Sequence, residues 1–206
     1  MKNYLFVIVL LLCISCGNKE DILLPKADRT IVKEVEDLSP IYIFFRVNGK
    51  DTLAEVNRKN SIITTNWILN IDKRLPLRLV IPEVMKLQQR KREEKEHRNE
   101  KAENYYSYAD SIGKNLAFIP FTKVYYKMAK PKSGINVFFA KNKKIFINEV
   151  LIESNQIQKY INNTNLTYQD VSFCFDKAMS FDSYLKAKIN IKRIELKFLN
   201  SNEFIY

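Results

Sequence analysis

Ile135-Asn136-Val137-Phe138-Phe139-Ala140-Lys141-Asn142-Lys143-Lys144-Ile145-Phe146-Ile147-Asn148-Glu149-Val150 is the stretch on which the reading of the fold turns. Asn136 to Phe139 and Lys144 to Asn148 are rich in β-branched and aromatic residues, and a Lys/Asn turn lies between them. They predict two paired strands. Downstream, Ser154 is placed to cap a short helix whose apolar face is Ile157, Tyr160 and Ile161. Val171, Phe173 and Phe175 alternate as a strand, with Cys174 between them as a small buried or half-buried thiol, so no disulfide is expected. Ser180 caps a second helix with Phe181, Tyr184, Leu185 and Ile189 on one face and Asp182 in its first turn. Ile194, Leu196 and Phe198 alternate as a last strand. The order β-β-α-β-α-β is that of an α+β layer: a small antiparallel or mixed sheet with helices on one face.

Upstream, Ile41 to Val47, the turn pair Asn48-Gly49 and Asp51 to Val56 read as a β-hairpin. Ser61 to Asp72 and Leu75 to Ile81 read as further extended segments, punctuated by Pro76 and Pro82. Together they predict a β-rich lobe over 40–82. From Glu83 to Gly113 the expectation is a long charged helix, spanning 83–114. Glu94/Arg98 and Arg92/Glu96 are i,i+4 pairs, and Tyr105, Ala109, Ile112 and Leu116 fall at helical spacing. Gln88 to Lys101 holds no large apolar residue, which favours a solvated spacer over a binding arm. A C-terminal α+β lobe then fills 115–206. Ile41 to Val56 also resembles Ile135 to Val150, pairing Ile41 with Ile135 and Phe45 with Phe139, and Ile71-Asp72-Lys73 resembles Phe175-Asp176-Lys177. Two related lobes joined by the charged helix are one explanation. Chance similarity in a chain rich in Asn, Lys, Ile, Tyr and Phe is the other.

The amino terminus bears on location. Met1-Lys2-Asn3 is followed by the apolar run Tyr4 to Ile14, then Ser15 and Cys16. The run is too short to span a bilayer, which takes roughly 20 apolar residues, and has the length of a signal-peptide core. The pattern resembles the lipobox of bacterial lipoproteins, with Cys13 where Leu is usual. Residues 1–15 are then a signal peptide, Cys16 carries the lipid, and 16–39 form a tether. A thiolate accepts a diacylglycerol as a thioether, and two or three chains anchor where one does not. Lys19, Glu20 and Asp21 resemble the surface-export signal of lipoproteins in Bacteroidetes. Thr52 and Ser111 sit in triplets that resemble the O-glycosylation signal of that phylum. These resemblances imply a lipid-anchored protein of the cell envelope, most readily the outer membrane, on its periplasmic or surface side.

Ile145-Phe146-Ile147-Asn148-Glu149 and the Phe175-Asp176-Lys177 corner resemble the strand-and-corner pattern of the ExbD/TolR family of biopolymer-transport proteins, over roughly Gly134 to Leu199. The resemblance implies an envelope domain that pairs with a second copy, with cell-wall polymer or with an envelope partner. Family members couple energy through an acid in a transmembrane helix. No acid lies between Met1 and Ser15, so proton coupling does not carry over.

The formal charge is +11, interleaved with acids along the chain. Behind an export signal this fits an anionic envelope better than nucleic acid, which is not expected as a partner. His97, the one histidine, lies in the charged stretch without a partner for metal or base chemistry. Asp176 and Asp182 read as turn and cap residues, and Trp67 as core. The clusters Tyr105/Tyr106/Tyr108 and Tyr125/Tyr126 leave sugar stacking open. No catalytic residue, metal ligand or cofactor is assigned. The expected function is non-catalytic binding or adaptor work, and the alternative is an envelope hydrolase or carbohydrate-active enzyme. A tight cluster of buried acids in a cleft would favour the alternative; an open sheet edge or an exposed apolar groove would favour binding.

Overall fold

The hairpin read from Ile41 to Val56 is β2 (Leu38–Asn48) and β3 (Asp51–Asn57), paired antiparallel through Tyr42↔Asn57 to Asn48↔Asp51. In the computed structural model, which describes residues 21–94, 99–162, 171–192 and 201–206, it founds the first of two sheets. Alongside β2 runs β4 (Asn66–Ile71) in parallel, then helix α1 (Leu77–Glu93), then β5 (Asn104–Asp110), parallel to β4. β6 (Asn115–Pro120) pairs antiparallel with β5, and the two-residue β1 (Lys26–Ala27) pairs with its end. The second sheet runs in the order β10 (Val150–Ile152), β9 (Ile145–Ile147), β8 (Ile135–Phe139), β11 (Val171–Phe175), β12 (Asn202–Ile205), β7 (Tyr125–Lys127). Helix α2 (Ile157–Asn162) precedes β11, and α3 (Phe181–Ile191) joins β11 to β12. The fold is α+β, as expected.

Both lobes share one path: a hairpin, a strand parallel to its first arm, an Asp-Lys corner, a helix and a second parallel strand. The corners match bond for bond. The Asp72 N–H donates to Ile43 O at 3.0 Å, as the Asp176 N–H does to Phe139 O. Asp72 Oδ1 accepts from the Arg74 N–H, as Asp176 Oδ1 does from the Ala178 N–H. Ile43 is therefore the counterpart of Phe139, and Ile41 of Val137. This lies two residues from the expected Ile41/Ile135 alignment, a shift that keeps each side chain on the same face.

The lobes are sewn together where the helices begin. The Leu77 and Arg78 N–H groups of α1 donate to the Met179 and Lys177 carbonyls (2.9 and 2.8 Å). Reciprocally, the Phe181 and Asp182 N–H groups of α3 donate to the Leu75 and Lys73 carbonyls (2.8 and 3.2 Å). Pro76 and Ser180, the two N-caps, face each other in an antiparallel bridge. Pro76 offers no capping side chain, so the other lobe's backbone satisfies the orphan donors of α1. Ser180 behaves as expected and accepts from the Ser183 N–H. One apolar core runs through both lobes, from Ile41, Leu69 and Tyr106 through Val80 and Val84 to Phe175, Phe181 and Leu185.

Four expectations need correction. The helix over 83–114 is instead α1 over Leu77–Glu93, and Asn104–Asp110 is a strand. Leu77, Val80, Ile81, Val84, Leu87 and Gln88 are its buried stripe, and Pro82 is carried inside the helix. In β5 the buried residues include Tyr106, Tyr108 and Asp110, at period two. The positions at helical spacing include the exposed Ile112 and Leu116. Gly113 belongs to the β5–β6 turn, where a Cβ would meet the Asp110 and Asn115 side chains. The segment over 75–81 is likewise helical from Leu77.

The tether over 16–39 is also shortened. Leu23 already donates to Asp72 Oδ2 (3.3 Å) and accepts from the Lys73 N–H (2.8 Å). Pro25 and Ala27 accept from the Ala109 and Ser111 N–H groups, and Val32 bridges to Phe118. The short helix is led in by a Ser154–Gln156 3₁₀ turn capped at Glu153, not at Ser154. The expected strand at Ile194, Leu196 and Phe198, like His97, Cys16, Lys19 and Glu20, lies outside the described residues; the strand beside β11 is Asn202–Ile205.

Candidate functional site

Two places gather polar chemistry. The first is a buried chain between the lobes. Tyr106 Oη on β5 and Tyr126 Oη on β7 are 2.7 Å apart, and Tyr126 Oη and Tyr184 Oη on α3 are 3.0 Å apart. The Tyr184 hydroxyl donates to Glu203 Oε2 on β12 at 2.6 Å, and Lys188 Nζ donates to Glu203 Oε1. Tyr106 is clamped by Phe121, stacked at 3.8 Å, and by the edge of Phe181. Burial, then the Glu203 carboxylate, holds the Tyr126 and Tyr184 hydroxyls well above the ordinary tyrosine range; burial, then Tyr126, does so for Tyr106. All three stay neutral, and the one carboxylate is matched by the one ammonium. A cavity of about 430 Å³ opens beside Lys188 and Glu203, lined also by Phe121, Val124 and Phe173. Of the acids that line it, Glu103 accepts from the Tyr105 hydroxyl and Glu203 takes bonds from two donors.

The second place is a recess of about 650 Å³ on the outer side of lobe 2, lined by Phe138, Phe146, Tyr206, Asn136, Asn148 and Lys130, among others. The strand register builds it: Phe146, Phe138, Cys174 and Phe204 fall in one row across β9, β8, β11 and β12. Phe138 and Tyr206 rings lie 5.2 Å apart, and Lys130 Nζ sits 5.4 Å above the Tyr206 ring. The β9–β10 turn forms one wall. Asn148 and Glu149 both have positive φ (46° and 71°), and Asn148 Oδ1 accepts from the Asn136 N–H at 3.0 Å. Asn136 Oδ1 is buried and has no hydrogen-bond partner among the described residues. Beneath the recess Cys174 is a free, buried thiol, pushed up to about 11 by burial. Rings that can stack on a sugar, an amide oxygen lacking a donor and a cation beside them make a surface suited to a hydroxyl-rich ligand.

The residues singled out in the sequence fall as follows. Asp21 is exposed. Thr52 lies on β3 beside Phe45 and Arg74. The Ser111 hydroxyl donates to Ala27 O at 2.8 Å, so a glycan there would break that bond. Trp67 is core, its Nε1–H bonded to Ile62 O at 2.7 Å. Asp176 and Asp182 are turn and helix-start residues, accepting from Ala178 N–H and Lys186 Nζ. The tyrosine clusters divide: Tyr106, Tyr108 and Tyr126 are buried, Tyr105 hydrogen-bonds Glu103, and Tyr125 lies under Arg92. Sequence reasoning missed Lys188 and Glu203. The signal for Lys188 was its place four residues after Tyr184 on the apolar face of α3, where a cation needs a buried partner. Asn136, Phe138 and Phe146 were read as strand residues, and nothing local marked the face they share.

No protein-family model, curated protein or solved structure matches this chain.

Proposed function

We propose that the protein is a bacterial lipoprotein, lipidated on Cys16, whose body serves the cell envelope as a non-catalytic binding module. Its ligand site is the aromatic recess of lobe 2, and its ligand is a glycan such as the cell-wall polymer. The observation that carries the reading is the buried Asn136 Oδ1, which lacks a donor in a recess walled by Phe138, Phe146 and Tyr206. A sugar hydroxyl supplies the donor while the rings cover its apolar face. The edge strand β10, with Val150 and Leu151 more than half exposed, adds an open rim for an envelope protein. The likeness to ExbD/TolR envelope domains fits such a role, without the acid that drives proton coupling.

Two measurements test it. Metabolic labelling with a palmitate analogue should mark the wild type and not Cys16→Ala. Co-sedimentation with purified peptidoglycan should fall about tenfold for Tyr206→Ala and for Asn136→Leu, a loss of about 1.4 kcal/mol each. Equal sedimentation of all three proteins would remove the recess as the site. The alternative, an envelope hydrolase, rests on the cavity beside Lys188 and Glu203; turnover of a wall substrate abolished by Glu203→Gln would establish it instead.

A further inference from the structure

Helices α1 and α3 begin at the same end of the molecule, and so do the Asp-Lys corners that precede them and the turn of the second hairpin. Charge is segregated there. The segments 72–78, 141–144 and 176–186, with Lys26 and Asp28 beside them, hold nine Lys and Arg residues against four acids. The three acids within the segments are engaged. Asp72 forms an ion pair with Arg74, Asp182 with Lys186, and Asp176 accepts the Ala178 and Lys141 N–H groups. Lys26, Arg78, Lys141, Lys143, Lys144 and Lys177 are exposed around them. At the opposite end, where α1 finishes, Arg58, Lys59, Arg90, Lys91, Arg92 and Lys101 stand among Glu93, Glu94, Glu100 and Glu103, six bases against four acids. The charge of +11 is thus evenly spread in sequence and uneven in space.

The chain enters the body at this same end. Among the described residues Leu23 is the first with a hydrogen bond to the body, held by Asp72 and Lys73, and is itself 44% exposed; Lys26 N–H bonds Asp182 Oδ1. Leu23 lies only seven residues along the chain from Cys16. Fully extended this stretch reaches about 25 Å, and a relaxed chain of that length covers about 15 Å. We infer that this basic end is a membrane-docking surface, seated on the anionic phosphate headgroups of the leaflet that holds the anchor. The inference rests on lipidation of Cys16 as proposed above. The short link keeps the nine cations within a Debye length or two of the headgroups, and Leu23 is placed to enter the interface. Docking in this pose sets the helix axes away from the bilayer.

Vesicle flotation tests the surface without the lipid. The protein used is residues 16–206 carrying Cys16→Ala, with vesicles of phosphatidylglycerol mixed with phosphatidylcholine, or of phosphatidylcholine alone. Binding should be confined to the anionic vesicles and weaken steeply with added salt. Since each basic residue near such a surface strengthens binding about fivefold, Lys141→Glu/Lys143→Glu/Lys144→Glu should reduce it more than tenfold. The control Arg58→Glu/Lys59→Glu/Lys101→Glu, at the other end, should leave it within about twofold. Equal losses for both triple variants, or no preference for anionic vesicles, would overturn the docking surface while leaving the palmitate label on Cys16 untouched. Conversely, anionic binding with the expected variant pattern but no label on Cys16 would overturn the lipoprotein reading alone.

Discussion

Lys188 shows how much a single residue can hide in a sequence. Its side chain is 7% exposed and Glu203, its partner, 12%. Removing one member of such a pair strands a buried charge, at about 3–5 kcal/mol. Glu203→Gln should therefore lower the unfolding free energy by about 3 kcal/mol in urea titration, and Lys188→Met/Glu203→Leu should recover most of it. Asp72 gives the acid side of the stability curve. Burial works to raise its pKa, but hydrogen bonds from Arg74 and Leu23 and the Arg74 charge leave it below the usual aspartate value. Because the folded pKa is the lower one, its contribution is complete above the unfolded value of about 4 and is lost as pH falls through the folded one. Asp72→Asn should flatten the acid limb of a stability–pH profile measured below about pH 4. Glu149, at φ 71°, occupies a turn position where glycine is at home. Glu149→Gly should stabilise the protein by about 1 kcal/mol in the same titration, because the left-handed conformation costs other residues that much.

At the scale of elements, the legible parts were those whose period is set locally. The first hairpin, β8, β9, β11 and the Ser180-capped α3 all stand close to where alternation and turn residues put them. The misread part was 75–116. Pro82 argued against a helix, but the stripe Leu77, Val80, Ile81, Val84, Leu87 buries enough apolar surface to outweigh one missing hydrogen bond. Asn104 to Asp110 could be read at period four or two; pairing between β4 and β6 selects two. The helix starts show what pairing between lobes adds. First-turn amides normally exchange fast, being without partners. Those of Leu77, Arg78, Phe181 and Asp182 should exchange only with global unfolding, as followed by native-state hydrogen exchange. Fast exchange at these four would mean that the lobes separate locally.

Across the whole molecule, a single core and reciprocal helix capping leave neither lobe a complete unit. Heat or urea should unfold the protein in one transition, with tyrosine fluorescence and far-ultraviolet dichroism superimposing. Two resolved transitions would show the lobes to be independent. The candidate recess and the basic end also belong to this scale. Neither was legible, since each joins residues that are distant in sequence: Lys130, Asn136, Phe146 and Tyr206 in one case, Lys26, Arg78, Lys141 and Lys177 in the other. By itself the sequence determined the α+β class, the hairpins, the turn at Asp176 and the Ser180 cap, because alternation, turn residues and caps act within a few neighbours. Only the tertiary structure decided that 104–110 is a strand, that Leu23 onward is held to the body, and that Glu203 answers Lys188. Those choices depend on partners supplied by strand pairing and lobe packing, which no local pattern encodes.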